Sequence, residues 1–354
     1  MAKNIVGIQQ IGIGIPDLKV AWDCYSKHFG MDIPVFQENA EAALMTKYTG
    51  GKVHSRSALL AINLQGGGGM EIWQFTSRGT EPPTFDIQLG DYGIFCTRIN
   101  CLNVKDTFEN YKRQGLDILG EVEKDPSGNE HFFVCDPYGM IYQVLKGEEW
   151  FNSGKHLTGG ISGCIIGVSD IEKSLNLYRD ILGFDEVVYD KTGAFKDFEK
   201  LPSGASETRR VLLKRSKKAT GGFNELLCGS SNQIELVQVL NRQPKKIFEN
   251  RFWGDQGFIH ICFDVQDMAS LKMECEAKGF PFTVDSANSF DMGEASGHFS
   301  YIEDPDGTLI EFVETTKIPI IKKLGWYLDV KKRDPKKALP KWMLNMMSLS
   351  RKKD

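Results

Sequence analysis

The chain has 354 residues, of which 41% are hydrophobic and 25% are charged, and its formal net charge is −4. This length is too great for one ordinary core and predicts two domains followed by a tail. From Lys317 onwards, twelve Lys and Arg face three Asp, which gives the tail a local charge of +9 and the rest −13. The acidic body argues against nucleic-acid binding. No apolar run is long enough to span a bilayer, which argues against stable membrane insertion.

The eight cysteines are scattered singly and form no CxxC pair. Several of them lie inside apolar runs, which is typical of reduced, buried thiols rather than of a disulfide framework. The N-terminus shows no basic region followed by an apolar stretch, so no signal peptide is predicted. We therefore expect a cytoplasmic protein.

The first module begins with an alternating strand over Ile5–Ile15. Asp17 is placed to cap the helix that follows, and Gly30 ends it. Three strands are then predicted around Asp32–Phe36, Ser57–Asn63 and Met70–Thr76. The order is β-α-β-β-β.

The same pattern restarts three times along the chain. Asp17, Tyr25 and Gly30 recur 153 residues later as Asp170, Tyr178 and Gly183. The turn Asp136-Pro137-Tyr138-Gly139 recurs as Asp304-Pro305-Asp306-Gly307. Such self-similarity fixes the architecture. Modules two, three and four are predicted over Tyr92–Leu145, Gly160–Leu240 and Gly257–Val313.

These repeats predict an α+β fold of four βαβββ modules, paired into two cup-shaped open barrels, with a basic C-terminal helical tail. The predicted domains are residues 1–149, residues 157–316 and the tail 317–354. The sequence leaves the pairing open. Module one could pair with module four and two with three, or one with two and three with four.

The chain resembles the vicinal oxygen chelate superfamily, which includes glyoxalase I, extradiol dioxygenases and bleomycin-resistance proteins. The resemblance rests on the strand–Asp–helix–Gly openings and on the Asp-Pro-x-Gly turns that precede the final strands. It implies metal ligands on the first and last strands of the modules that take part. Module one offers Gln10 and Glu71, and module four offers His260 and Glu311. This set is similar to that of eukaryotic glyoxalase I.

Strand alternation supports the same four residues independently. Ile11, Ile72, Ile261 and Phe312 have the parity of the helix-facing side, so the neighbouring Gln10, Glu71, His260 and Glu311 point into the cup. Buried polar groups are costly unless something satisfies them. A divalent cation (Zn²⁺, Ni²⁺, Mn²⁺, Co²⁺ or Fe²⁺) would do so.

Modules two and three lack this set. Gly163 stands at the position of Gln10, Gln143 replaces the terminal Glu, and Ile94 or Cys96 stands where His260 would be. Of the four positions, only that of Glu71 keeps its residue type, as Glu235 in module three. If module one pairs with four, one site is complete and the other is lost. The other pairing would leave a trio of Glu235, His260 and Glu311.

The resemblance implies a metal-dependent lyase or isomerase that transfers a proton through a metal-bound enediolate, with Glu311 and Glu71 as the catalytic carboxylates. The substrate would be a small molecule with vicinal oxygens. Glyoxalase I binds glutathione through residues that are here Gly14, Phe75 and Gln256, so a glutathione adduct is not expected. The alternatives are a ring-cleaving or 2-oxo-acid dioxygenase and a metal-free small-molecule-binding protein of the resistance type.

The basic tail carries Leu339, Trp342, Met343, Met346 and Met347 at near-helical spacing. This pattern predicts a terminal helix that packs on its own barrel or on the partner subunit of a homodimer. A contact with a membrane surface and a lid over the cup are further interpretations.

Overall fold

The computed structural model describes residues 3–287, 290, 291, 296–321, 326–330 and 333–353. The modules pair one with four and two with three, which resolves the alternative that the sequence left open. We call the sheet of modules one and four the outer sheet and that of modules two and three the inner sheet. Each half of the chain therefore contributes one module to each sheet.

The outer sheet has ten strands among the described residues, with the main order β14-β16-β17-β13-β1-β4-β3-β2. Module one supplies β1 (Asn4–Gly14), β2 (Ile33–Glu41), β3 (Ser55–Ile62) and β4 (Gly69–Phe75). Module four supplies β13 (Gly257–Gln266), β14 (Val284–Asp285), β15 (Phe290–Asp291), β16 (Ser296–Glu303) and β17 (Leu309–Ile321). Strand β18 (Trp326–Asp329) pairs with β17.

The inner sheet has eight strands among the described residues, in the order β10-β11-β12-β9-β5-β8-β7-β6. Module two supplies β5 (Gly93–Cys101), β6 (Asp117–Lys124), β7 (Glu130–Cys135) and β8 (Ile141–Lys146). Module three supplies β9 (Thr158–Gly167), β10 (Glu186–Gly193), β11 (Thr208–Lys214) and β12 (Gln233–Val239).

One helix follows the first strand of each module: α1 (Leu18–Phe29), α2 (Val104–Arg113), α3 (Ile171–Tyr178) and α5 (Met268–Ala277). Asp17 caps α1 by accepting a hydrogen bond from the backbone N of Val20 at 3.0 Å, and Gly30 ends the helix with φ of 67°. The predicted α+β fold of four modules in two curled sheets is confirmed.

The repeated Tyr and Asp residues tie consecutive modules together. The Tyr25 hydroxyl of module one donates to Asp136 in the turn of module two at 2.7 Å. The Tyr178 hydroxyl of module three donates in the same way to Asp304 of module four at 2.9 Å. Both bonds are buried. Each recurring Tyr thus joins the outer sheet to the inner one, since consecutive modules lie in different sheets.

The main hydrophobic core contains residues of both sheets and of their helices. The helix-facing residues that strand alternation predicted lie in it: Ile11, Ile72, Ile261 and Phe312. A separate cluster with Phe36, Trp73 and Tyr301 lies on the opposite face of the outer sheet, inside its cup. The inner cup has its own filling, with Phe95, Phe133 and Phe198.

The tail packs on the body of its own chain. Its short helix α6 (Lys341–Asn345) buries Met343 and Leu344 against Ile33, Ile62 and Phe151. The predicted helical tail is therefore present, but it follows the additional strand β18, which extends the outer sheet.

The short helix α4 (Asn224–Leu227) of module three packs near β1. None of the described helices is both long and apolar enough to cross a membrane. The eight cysteines all lie in the described part of the chain, and all are free thiols.

Candidate metal centre

The four predicted ligands lie on the four adjacent central strands of the outer sheet, β17, β13, β1 and β4. These strands contribute Glu311, His260, Gln10 and Glu71, in that order. Neighbouring strands lie about 4.8 Å apart, so side chains from such a row can meet at one point. All four side chains are buried.

The imidazole of His260 lies at the centre of this group. Its Nε2 is 3.0 Å from Oε2 of Glu311 and 3.3 Å from Oε2 of Glu71. Suitable ligand atoms of these three residues all lie within 4.8 Å of one another. A Cβ on Gly12 would lie 2.3 Å from Cε1 of His260, so glycine is needed there to leave room for the ring.

Gln10 completes the group from β1. Its Nε2 donates to Oε2 of Glu71 at 3.1 Å and to Oε2 of Glu311 at 3.5 Å. Its amide oxygen is buried and accepts no hydrogen bond from any described residue. A buried oxygen without a partner is costly, and a cation would satisfy it after rotation of the amide.

The electrostatics of the group are those of a site short of positive charge. Burial disfavours a charged imidazole, but the charges and hydrogen bonds of Glu311 and Glu71 together outweigh burial and raise the pKa of His260 to about 9. Burial likewise works against ionisation of Glu71, yet the contact with His260 lowers its pKa. In the absence of a metal, the proton on His260 therefore supplies the positive charge.

Two carboxylates, one imidazole and one amide oxygen form a mixed oxygen and nitrogen donor set that suits the divalent ions of the first transition series. The residues present fit such an ion. Tyr301 adds a second contact, since its hydroxyl lies 3.4 Å from Nδ1 of His260. A hydroxyl in this place orients a ligating imidazole.

A cavity of about 270 Å³ opens above this group. We call it the outer cup, and its wall is mainly apolar, with Phe36, Leu60, Trp73, Trp253 and Phe299. Trp73 lines the outer cup, whereas Phe75 packs outside the lining against Gly254 and His54. Met347 brings the tail to the wall of the same cavity.

Among the described residues, the inner sheet has no comparable ligand group. The register of β5 on β8 and of β13 on β17 makes Cys96 the counterpart of His260, and Arg98 the counterpart of Cys262. A Cβ on Gly163 would lie 2.0 Å from the carbonyl oxygen of Gln233, so no side chain fits at the position equivalent to Gln10.

Two buried arginines occupy the centre of the inner sheet instead. Arg98 donates to Glu235 through Nη2 at 2.7 Å, and Arg210 donates to Glu235 through Nε at 2.7 Å. Arg210 also pairs with Asp197 at 2.8 Å. Sequence reasoning missed this network, although the two arginines at inward-facing strand positions were a signal for it.

The structure also accounts for the departures from the glutathione-binding pattern. A Cβ on Gly14 would lie 2.0 Å from the carbonyl oxygen of Asp255, so no side chain fits there. The side chain of Gln256 donates to the carbonyl of Tyr138 at 2.8 Å, away from the ligand group. These two positions thus present no side chain to the ligand group, which agrees with the expectation that a glutathione adduct is not bound.

Comparison with known proteins agrees with this architecture. Residues 160–312 match the family model of the Glyoxalase/Bleomycin resistance protein/Dioxygenase superfamily. The matching stretch covers modules three and four. Most members of the superfamily are enzymes, and these enzymes commonly use a divalent metal.

Two solved structures share the fold at low identity. Glyoxalase I from Zea mays is 14% identical, with a TM-score of 0.52 over 88% of this chain and 92% of that one. A Bacillus subtilis strain 168 protein described as a dioxygenase is also 14% identical, with a TM-score of 0.57 over 88% and 86%. No protein of curated function matches the sequence.

Proposed function

We propose that this protein is a member of that superfamily and a divalent-metal-dependent lyase or isomerase of the glyoxalase class, which moves a proton at a carbon next to two oxygens. The observation that carries the proposal is the convergence of Glu71, His260 and Glu311 on one point beside the unpartnered amide oxygen of Gln10. An assembly of this kind at the base of a cavity is typical of a functional site rather than of a structural ion pair.

Gln10, Glu71, His260 and Glu311 would hold the ion, which would be Zn²⁺, Ni²⁺, Mn²⁺, Co²⁺ or Fe²⁺. When bound, such an ion acts as a Lewis acid that stabilises the negative charge left on the paired oxygens after the proton departs. Tyr301 would keep the imidazole of His260 in the orientation that presents Nε2 to the ion.

Glu311 and Glu71 are the proposed proton carriers. They approach His260 from opposite sides, Glu311 from the adjacent strand β17 and Glu71 from β4. One carboxylate could thus accept the proton on one face of the substrate while the other returns it on the opposite face. The apolar wall excludes water from the transfer.

The first experiment measures the metal content of purified protein by elemental analysis after incubation with each candidate ion. We expect about one ion per chain in the wild type, as a four-ligand site would hold, and little in His260→Ala or Glu311→Gln. Gln143→Ala changes the inner-sheet counterpart of Glu311 and should leave the content unchanged. Full metal content in both outer variants would refute the proposed site.

The second experiment separates the proposed chemistry from oxygenase chemistry. Small 2-hydroxyaldehydes and 2-hydroxyketones are incubated with the metal-loaded protein in D₂O, and NMR follows exchange of the proton next to the oxygens. We expect exchange that depends on Glu311, with no consumption of O₂. Stoichiometric O₂ uptake would instead favour the dioxygenase interpretation, and tight ligand binding without exchange would favour the binding protein.

A further inference from the structure

The polar atoms that lack hydrogen-bond partners divide the outer cup into two ends. At the base, the unpartnered group of Gln10 is an acceptor, the amide oxygen. On the wall, the unpartnered groups are donors, and they belong to Arg56, Trp73 and Trp253. A metal ion would satisfy the acceptor at the base. A ligand with acceptor atoms would satisfy the donors on the wall.

Arg56 is the charged donor on the wall. Arg56 is only 8% exposed, and its Nη2 pairs with Glu38. Its Nε and Nη1 donate to no described residue. A guanidinium has five N–H donors, so the single contact with Glu38 leaves most of them unsatisfied in a buried position. Unsatisfied donors of a buried cation favour an anionic acceptor.

The guanidinium of Arg56 is held in place by the ring of Trp73 on the cup wall. Its Cζ lies 4.5 Å from the centre of the Trp73 ring, which is cation–π geometry. Trp73 is two residues from Glu71 on β4, on the same face of the strand. Arg56 is therefore a fixed group on the same wall as the metal centre.

Trp253 supplies a neutral donor that packs on the same Trp73 ring. Its ring lies 4.1 Å from that of Trp73 in an edge-to-face arrangement, and its Nε1 has no acceptor in the described part of the chain. Tryptophan Nε1 only donates, and a buried Trp usually finds a partner for it. Arg56 and Trp253 thus flank Trp73, and both require an acceptor.

The rest of the cavity limits what that acceptor can be attached to. The volume of about 270 Å³ is at the small end for ligand pockets, and most of the remaining wall is aliphatic and aromatic. A peptide-sized adduct does not suit such a space. A small apolar body with a charged oxygen group does.

We propose that the outer cup binds a small, mainly apolar molecule that presents vicinal oxygens to the metal centre and an anionic oxygen group, such as a carboxylate, to Arg56 and Trp253. Arg56 is then the residue that selects acids over their neutral analogues. The placement of the vicinal oxygens rests on the proposed function, whereas the selection of an acid by Arg56 does not.

The test compares two ligands of similar size on the Zn²⁺-loaded protein, 3,4-dihydroxyphenylacetate and 4-ethylcatechol. Calorimetry, or quenching of tryptophan fluorescence, gives the dissociation constants. Because a charge-assisted hydrogen bond replaces unsatisfied donors, we expect the acid to bind about tenfold more tightly. Equal affinities in the wild type would overturn the inference.

Three variants assign the preference to Arg56. Arg56→Met should abolish the preference for the acid while binding 4-ethylcatechol normally, and Arg56→Lys should retain part of it. Glu38→Gln removes the competing carboxylate and should increase the preference. If Arg56→Met does not fold, the opposite effects of Glu38→Gln and Arg56→Lys decide. An unchanged preference in the folded variants would overturn the role of Arg56.

A metal-free arm separates this inference from the proposed function. In the presence of EDTA, phenylacetate should still bind more tightly than 2-phenylethanol, and Arg56→Met should remove the difference. If this preference is found in a protein that binds no metal, the proposed function fails and the anion site stands. If metal binds but neither acid is preferred, the anion site fails alone.

Discussion

The centres of the outer and inner sheets are built from equivalent positions, but they neutralise their buried carboxylates in different ways. Glu71 and Glu235 occupy the same register position on β4 and β12. In the inner sheet, Arg98 and Arg210 supply fixed positive charge to Glu235. In the outer sheet, the counterparts of these arginines are the uncharged residues Cys262 and Ala58.

This difference indicates how one scaffold yields either a structural core or a binding site. An arginine side chain brings its own charge and fills the cup, so the inner sheet is closed and self-sufficient. The outer sheet has Ala58 at the position equivalent to Arg210, and a cavity with a deficit of positive charge at its base is present there. A deficit of that kind is what a metal ion compensates.

The largest effect is expected where the inner network loses a cation. Arg210→Met would leave Asp197 and Glu235 short of a buried partner, which typically costs about 3–5 kcal/mol in the free energy of unfolding. Urea denaturation measures this. Arg209→Met, on the adjacent residue with its exposed partner Asp190, should cost less than about 1 kcal/mol. Similar costs for the two variants would show that the inner network is not the stabilising element.

The second prediction converts the outer centre into an inner one. Gln10→Gly with Cys262→Arg reproduces the pair Gly163 and Arg98. A metal at 100 times its dissociation constant should stabilise the wild type by about 2.7 kcal/mol and this double variant by nearly nothing. Thermal unfolding with and without metal measures the difference.

The matched control for this conversion is Gln10→Gly with Cys262→Met, which adds bulk without charge. It should keep part of the stabilisation by metal, because Glu71, His260 and Glu311 remain. If the arginine variant gains as much stability from metal as the wild type, an arginine side chain does not take the place of the metal ion in these centres.

A smaller effect is expected at Tyr301, whose inner counterpart by register is Phe133. The hydroxyl is thus found only in the module that offers the histidine. Tyr301→Phe should weaken metal affinity by about tenfold with little loss of stability, as measured by competition with a chelator. Tyr178→Phe, which removes the hydroxyl bonded to Asp304, should lower stability and leave metal affinity unchanged.

The smallest effect concerns the pH dependence of the inner network. Burial alone would raise the pKa of Asp197, but contacts with His131 and Arg210 outweigh it and hold the pKa below the ordinary value of 3.8. The folded state therefore binds this proton less readily than the unfolded state. The resulting stabilisation is present above pH 3.8 and is lost as the pH falls through the lowered pKa.

Urea titrations of wild type and Asp197→Asn between pH 7 and pH 3 test this sign. The stability advantage of the wild type should be constant at higher pH and should shrink below about pH 4. An advantage that grows on acidification would contradict the assignment.

Much of the fold was predictable from local patterns. Strand alternation placed Ile11, Ile72, Ile261 and Phe312 in the main core, because a strand exposes alternate residues to opposite faces. The turn at Gly30 and the cap at Asp17 followed from the conformational preferences of single residues. The four candidate ligands were named from parity and resemblance, and the structure brings them together. That they hold a metal remains a prediction.

Other features depended on distant neighbours and were missed. Arg56 and Trp253 are far apart in sequence, and their shared lack of acceptors is visible only when both flank Trp73. The tail was predicted as helical, and strand β18 pairs with β17 because that strand continues past the module. The pairing of Arg98 and Arg210 with Glu235 also required the register of the inner sheet.

The sequence by itself determined the four repeats, the inward-facing side of each strand and the residue types available at each cup. Those properties follow from short-range periodicity and from the chemistry of single side chains. The tertiary structure alone decided which modules pair, and thereby that Gln10 and Glu71 meet His260 and Glu311. The physical reason is that each βαβββ module presents the same open strand edge, so local patterns are compatible with either pairing, and only the packing of all four modules selects one.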